Sequence, residues 1–426
     1  MSDDRTLLVG MDLCDETTQL AVYDRELMEP VLIGQSEDNP DALIETAVNF
    51  AEREPITGLL EKARTGDDVM NDGKMVGIER VLAYFFRKTL AMTRVRYPGE
   101  KIKMLTISVP TMDKDFVDRM YEALALIGLE SDRVRIIDHK RSYMYYVLYQ
   151  KKELWTNDVG LFDYDGERLL YEQLKIDRSH LPALVGVTEK DFTEAFKVAD
   201  RPEKLPEKLP DSIEFIDEID EESEEVRAAT PKGTIFENIV KTALKNQFVS
   251  SLFMTGEGFE TKWADEVFPR LAVGRRLFRG RNLYVSGATY ASKEFGEKKR
   301  LEDYVVFAPD MVPARLSMDV YENGKQNEVV LAPAGYPWFE VDTEVDLIPD
   351  GDTEIVVNAR PVFEGDVRQY KLDISPILAK NNRMTRIGLR VRFEDSKTAI
   401  FTIRDKGFGE TMPGSNRVWE ETVVCS

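Results

Sequence analysis

The chain is poor in the residues that build disulfide and metal frameworks. Its 426 residues hold two cysteines, Cys14 and Cys425, at opposite ends, and two histidines, His139 and His180. A disulfide scaffold needs more cysteines. No Cys or His pair has zinc-ligand spacing along the chain, so neither a His-rich nor a Cys-ligated metal site is expected. No HExxH pattern is present, and a Ser-His-Asp triad has only those two histidines to draw on. Positive charge is also short. Lys+Arg number 57 against 78 Asp+Glu, a formal net charge of −21. Such a surface repels duplex nucleic acid and anionic membranes, so neither is expected as a main partner. No stretch approaches the roughly 18 apolar residues of a membrane span. The start, Met1-Ser2-Asp3-Asp4-Arg5, lacks the basic n-region and apolar run of a signal peptide. A cytoplasmic, reduced setting is the expectation.

What is present is a globular composition, with 42% hydrophobic and 32% charged residues. The apolar fraction excludes disorder of the whole chain. Leu7 to Met11 reads as a buried strand ending at Asp12, and Gln19 to Asp24 as its hairpin partner. Residues 34–78 are irregular, with helix expected near 41–52. Ile78, Val81, Leu82, Phe85, Phe86 and Leu90 fall at helical spacing. Ile102 to Val109 is a strand stopped by Pro110. A helix capped near Asp113 then carries Phe116, Met120, Leu124 and Ile127 on one stripe, with Gly128 to end it. Arg133 to Ile137 is a strand, and 140–150 a helix. Val159 to Asp163 and Arg168 to Ile176 form a second hairpin.

Residues 201–227 break the composition. A tandem Pro-Glu-Lys-Leu precedes an acidic run in which nine of fifteen residues, 211–225, are Asp or Glu. The run reads as a solvated insertion, or as a docking site for a basic partner. Helix is expected from Thr234 to Phe248, a strand over Leu252–Met254, helix over Lys262–Leu271, and a further segment at Leu283–Val285. From Val305 the period becomes two, in runs at 316–321, 338–347, 353–357, 368–374, 387–393 and 398–404. Residues 1–300 are therefore expected to form an α/β domain and 301–426 an all-β domain.

The order of these elements resembles the actin-like ATPase superfamily, and most closely the DnaK-type heat-shock chaperones. Val9-Gly10-Met11-Asp12-Leu13 with Thr17 to Val22 is similar to that family's first phosphate loop, G-I-D-L-G-T-T. Thr106-Ile107-Ser108-Val109-Pro110, the helix to Gly128 and Arg135 to Asp138 are similar to its I-T-V-P-A segment and the strand before I-N-E-P-T. Val159 to Asp163 sits where the second phosphate loop begins, and Ser251 to Phe259 where the adenosine motif falls. Ser286 to Ser292 is similar to the small-residue helix that follows. Leu389 to Phe393 and Ala399 to Gly407 resemble late strands of the chaperone's peptide-binding β-sandwich. The resemblance implies a two-lobe fold of RNase H-like repeats followed by a β-sandwich-like domain without a helical lid.

It also implies site residues. Asp12 and Asp163 correspond to the carboxylates that orient Mg²⁺ and water, with Thr17, Thr18, Gly166, Gly256 and Gly258 around ATP or ADP. Each aspartate equally reads as the cap of its own hairpin. The glycines that let phosphate approach the backbone are mostly replaced. The first loop has Cys14-Asp15-Glu16 where the family has G-T-T. The second has Asp165-Gly166-Glu167-Arg168 where it has G-G-G-T. His139 stands at the position of a glutamate that places the metal-bound water. Lys140, Arg141 and Arg168 are candidates for compensating charge, as are Arg275, Arg276, Arg279 and Arg281, which also read as a solvated face. Two functions follow from different classes. One is a pseudo-ATPase scaffold that binds a protein or peptide partner through its β domain. The other is a genuine ATPase coupling hydrolysis to peptide binding. A filament-forming assembly factor is a third reading, disfavoured by the high negative charge.

Overall fold

The computed structural model of the protein describes residues 6–50, 54–71, 73–179, 181–197, 231–322, 324–349, 353–363, 365–375, 385–409, 413–415 and 417–425. The acidic segment 211–225, the tandem Pro-Glu-Lys-Leu and His180 lie outside them. Two units divide the chain: Met1–Lys175 with Val187–Glu302, and Ile176–Gly186 with Asp303–Ser426.

The first unit opens with β1 (Thr6–Leu13), β2 (Thr17–Asp24), β3 (Glu29–Leu32) and β4 (Ile44–Glu45). It continues through α1 (Leu59–Thr65), β5 (Val69–Asn71), β6 (Lys74–Val76), α2 (Ile78–Ala91), α3 (Thr93–Arg96), β7 (Lys101–Val109), α4 (Lys114–Ala125), β8 (Val134–Asp138) and α5 (His139–Tyr149). Next come β9 (Asp158–Tyr164), β10 (Leu169–Asp177) and β11 (Ala183–Asp191), whose first residues fall in the second unit. α6 (Thr193–Lys197), α7 (Pro231–Ala243), β12 (Val249–Thr255), α8 (Lys262–Leu271), β13 (Arg276–Arg279) and α9 (Leu283–Gly296) complete it.

These strands form two sheets with one plan. The first runs β3-β2-β1-β7-β8, with β4 beside β2, and the second β13-β12-β9-β10-β11. In each, three consecutive strands lie side by side. Two later strands then add in parallel beside the first of them, β7 and β8 beside β1, and β12 and β13 beside β9. A helix follows the last strand of each set, α5 after β8 and α9 after β13. The same path is traced twice.

One face of the first sheet packs on α1, α2 and α4 through Leu59, Val81, Phe85, Phe116 and Met120. One face of the second packs on α6, α7 and α8 through Phe196, Phe236, Trp263 and Phe268. The helical stripes read from the sequence account for this burial. Asp113 caps α4, its carboxylate accepting from the Phe116 N–H at 2.9 Å, and Gly128 turns the chain at φ 82°.

α5 and α9 pack on each other and reach both sheets. The Tyr143 hydroxyl donates to the Val159 carbonyl at 2.9 Å, and Ser292 donates to the Val9 carbonyl at 2.6 Å. α9 approaches this closely because its residues are small. A Cβ on Gly287 would strike the Ser142 carbonyl, and one on Gly10 would strike the Thr289 backbone.

Three local expectations change. Residues 41–50 are not helical. The Asn39 side chain brackets Leu43, accepting at 2.9 Å and donating at 2.8 Å, and β4 pairs with Thr17 and Thr18 instead. α7 stops at Ala243, and Asn246 at φ 61° turns the chain into β12. Leu283–Val285 is the first turn of α9, and the strand before it is Arg276–Arg279.

In the second unit, β14 (Tyr304–Val306) pairs in parallel with Ala183 to Val185. There follow β15 (Ala314–Glu322), β16 (Lys325–Ala332), β17 (Asp342–Leu347), β18 (Glu354–Pro361), β19 (Arg368–Asp373), β20 (Ile387–Phe393), β21 (Thr398–Asp405) and β22 (Val418–Val424). They make two four-stranded sheets, β16-β15-β18-β19 and β17-β20-β21-β22. Leu316, Met318, Val357 and Leu372 from one sheet share a core with Leu389, Val391, Phe401 and Ile403 from the other. Among the described residues, no helix is long and apolar enough to cross a membrane.

The α5–α9 contact yields a prediction. Gly287→Ala is expected to destabilise the protein by about 1–3 kcal/mol, because the obstacle is backbone that cannot rotate away. Gly280→Ala, whose new Cβ would meet only the Asn282 side chain, is expected to stay within about 0.5 kcal/mol of wild type. Urea denaturation of the two variants checks the contrast.

Candidate functional site

The repeated plan places four side chains in matching positions. Asp12 is the penultimate residue of β1, and Asp163 is the penultimate residue of β9. His139 begins α5, and Tyr284 stands in the first turn of α9. His139 Nε2 donates to Asp12 Oδ1 at 2.8 Å. The Tyr284 hydroxyl donates to Asp163 Oδ2 at 2.6 Å. The two rings then stack on each other, with centroids 3.8 Å apart and planes 13° from parallel. Each strand's carboxylate is thus held by the aromatic that opens its own repeat's last helix.

The electrostatics follow from burial and from these partners. Burial opposes charge on His139, yet the charge and hydrogen bond of Asp12, with Cys14 beside them, together hold the imidazole well above the usual histidine range. Burial raises Asp163, against the Tyr284 hydrogen bond and the nearby His139 charge. Burial and then Asp163 push the Tyr284 phenol well above its ordinary range, so it remains a donor. Cys14 lies 3.9 Å from His139 Nε2 and 4.0 Å from Asp12 Oδ2. Burial, then Asp12, push its thiol up to about 11, so it is not an activated nucleophile.

Glu172 on β10 joins the same neighbourhood. It is 4% exposed, and its Oε2 has no hydrogen-bond partner. Burial and then Asp163 raise its pKa to about 8, with Lys140 and His139 opposing.

The hairpins beside these aspartates are built differently from each other. In the first, the Cys14 N–H donates to the Thr17 carbonyl at 3.1 Å. Asp15 is exposed and turns to α1, accepting from the Glu61 N–H at 3.3 Å with Arg64 at 3.8 Å. The Thr18 hydroxyl is buried and bonded to that of Thr46 at 2.8 Å, away from Asp12. In the second, Asp165 accepts from the Glu167 and Arg168 N–H groups at 2.8 and 2.7 Å, and Gly166 takes φ 103°. Tyr164 donates to the Gly166 carbonyl at 2.9 Å. Gly256 and Gly258 lie directly against Tyr164: a Cβ on either would collide with its carbonyl or its ring.

The structure therefore brings Asp163, Gly166, Gly256 and Gly258 together around Tyr164. It brings Asp12 and Asp163 to the two sides of one ring stack. Thr17 shapes the first hairpin, and Thr18 is spent elsewhere. Of the candidate compensating charges, Lys140 pairs with Glu189 at 3.1 Å. Arg279 pairs with Glu260 at 3.0 Å and Asp265 at 2.5 Å, and Arg281 faces Glu257 at 3.7 Å. Tyr284 and Glu172 escaped sequence reasoning. Glu172 left a signal, a lone carboxylate beside Gln173 in the mostly apolar run Leu169 to Leu174. Tyr284 left none, since an aromatic in a buried helix is ordinary core. Folding also joins Cys14 to His139 across 125 positions, a proximity that spacing along the chain does not show.

Over residues 19–308 the chain matches the family described as "Family of unknown function (DUF5716) C-terminal", and it belongs to that family. Residues 311–425 match the domain described as "Domain of unknown function (DUF8552)". No curated protein matches the chain.

Two outcomes are expected from this geometry. His139→Gln leaves a buried carboxylate unpaired and should cost about 3–5 kcal/mol. Combining it with Asp12→Asn should cost less than the sum of the singles by at least about 1 kcal/mol in a double-mutant cycle. For Glu172 the sign is fixed by its raised value. Between 4.5 and about 8 the folded state keeps a proton that the unfolded chain has lost, so stability falls as pH rises through that window. Glu172→Gln should remove that fall, and at pH 9 it should be more stable than wild type by on the order of 4 kcal/mol. Denaturation curves from pH 5 to pH 9 measure both.

Proposed function

We propose that this member of the DUF5716 C-terminal family is a binding or scaffold protein on an actin-like, two-lobe fold, with its phosphate-handling centre rebuilt as a structural lock. The twice-traced strand order supports the actin-like reading, because that fold is a pair of RNase H-like repeats. The observation that carries the loss of catalysis is the double capture of the carboxylates. Asp12 is paired with His139, and Asp163 accepts from Tyr284. Phosphoryl transfer needs such groups available to position metal and water, and its catalysis is almost wholly positioning and electrostatics.

A Mg²⁺–nucleotide does not fit this donor set. The cationic imidazole occupies Asp12, and Tyr164 closes over the one glycine left in the second hairpin. On this reading the β unit carries the binding role. Its sheets end in the strands β16, β19, β17 and β22, whose outer backbone groups suit strand addition by an extended segment of a protein or peptide partner.

Calorimetric titration of ATP and ADP, with and without Mg²⁺, tests the proposal. No Mg²⁺-dependent binding is expected up to millimolar nucleotide. Micromolar binding that needs both Mg²⁺ and Asp12, with turnover lost in Asp163→Ala, would overturn it in favour of an ATPase coupled to peptide binding.

A further inference from the structure

Asp12, Cys14 and His139 present an oxygen, a sulfur and a nitrogen donor to one point. Their ligand atoms all lie within 4.8 Å of one another. The individual separations are 2.8 Å for His139 Nε2 to Asp12 Oδ1, 3.9 Å for His139 Nε2 to Cys14 Sγ, and 4.0 Å for Cys14 Sγ to Asp12 Oδ2. Zinc bonds of about 2.0–2.3 Å arranged tetrahedrally place donors about 3.3–3.6 Å apart. The two contacts to Asp12 use different oxygens of one carboxylate, and with one donor atom from each residue the three lie within 4.8 Å of one another, near enough for side-chain rotation to close them on one ion. Metal binding opens the His139–Asp12 contact, swings the thiol in and releases the imidazolium and thiol protons to solvent.

A separate observation points to a cation. Two acidic side chains, Asp12 and Glu172, are buried and a third, Asp163, is partly buried near the His139 imidazole. The Glu172 Oε2 has no hydrogen-bond partner, and neither has the buried hydroxyl of Ser108, which is Asp12's neighbour across the β1–β7 pairing. Asp163 acts electrostatically on Cys14, Asp12 and His139 alike.

We propose that Asp12, Cys14 and His139 form a three-ligand site for a divalent transition metal of the zinc class, with its fourth position turned to the Asp163 side. The donor set selects the metal. Thiolate with imidazole favours zinc over magnesium or calcium, which take oxygen ligands. The site stands on this unit's own side chains and is independent of any nucleotide.

The test uses the full-length protein, stripped with a chelator and titrated with Co²⁺ and then Zn²⁺, in the absence of nucleotide. The expected result is a thiolate-to-cobalt charge-transfer band with the d–d bands of four-coordinate cobalt, at one equivalent, bleached by one equivalent of zinc. Cys14→Ser should abolish the charge-transfer band and weaken zinc binding about a hundredfold or more, since even an outer partner of a metal ligand is worth tenfold to a hundredfold. Cys425→Ser should leave both unchanged. Circular dichroism of the metal-free variants establishes that each is folded before titration. Absence of the band at excess Co²⁺ in folded wild type overturns the proposal. So does a band that survives Cys14→Ser and disappears in Cys425→Ser.

Discussion

The stack of His139 on Tyr284 is the contact on which the first unit depends. Each ring belongs to a different repeat, and each holds the aspartate of its own repeat. Neither carboxylate can be buried alone, because an unpaired charge in a low-dielectric setting costs several kcal/mol. The rings supply one hydrogen bond each, and the imidazole supplies the compensating charge. The close approach of α5 and α9 makes the geometry possible. With a larger residue at Gly287, the two helix starts would stand too far apart for their first-turn side chains to meet face to face.

Much of the fold was legible because its signals are local. The stripe Ile78, Val81, Leu82, Phe85 and Phe86 is buried as a helix face, and Asp113 and Gly128 end α4 as capping chemistry dictates. The strands missed in the second unit are β14, β16 and β22, each at the edge of a sheet. Lys325-Gln326-Asn327-Glu328 is exposed on both faces of β16, so it shows none of the apolar alternation that marks β20 and β21. The expected helix near 41–52 failed for a related reason. Its pattern is weak, and the Asn39 side chain supplies local hydrogen bonds that compete with helical ones.

The site was legible only in part. Asp12 and Asp163 stand out because each ends an apolar strand before a polar turn. What holds them does not stand out, because it is assembled across the chain: 127 positions separate His139 from Asp12, and 121 separate Tyr284 from Asp163. No spacing rule reads such a contact. The resemblance to a nucleotide-binding family drew attention to Asp12, Asp163 and His139, and folding brings these three together with Tyr284. The role of that histidine came from geometry, as the partner of the aspartate and the floor on which Tyr284 lies.

The paired rings also bear on how this sequence can change over time. A substitution at His139 strands Asp12, and one at Tyr284 strands Asp163 and uncovers the imidazole. A glutamate at 139 would set two carboxylates about 3 Å apart, a repulsion of several kcal/mol where water is excluded. Each single step therefore crosses a stability barrier comparable with the whole margin of an ordinary domain. The arrangement is entrenched. Neither aromatic can change without a matching change at the aspartate of its own repeat, and the stacked ring of the other repeat constrains what can replace it.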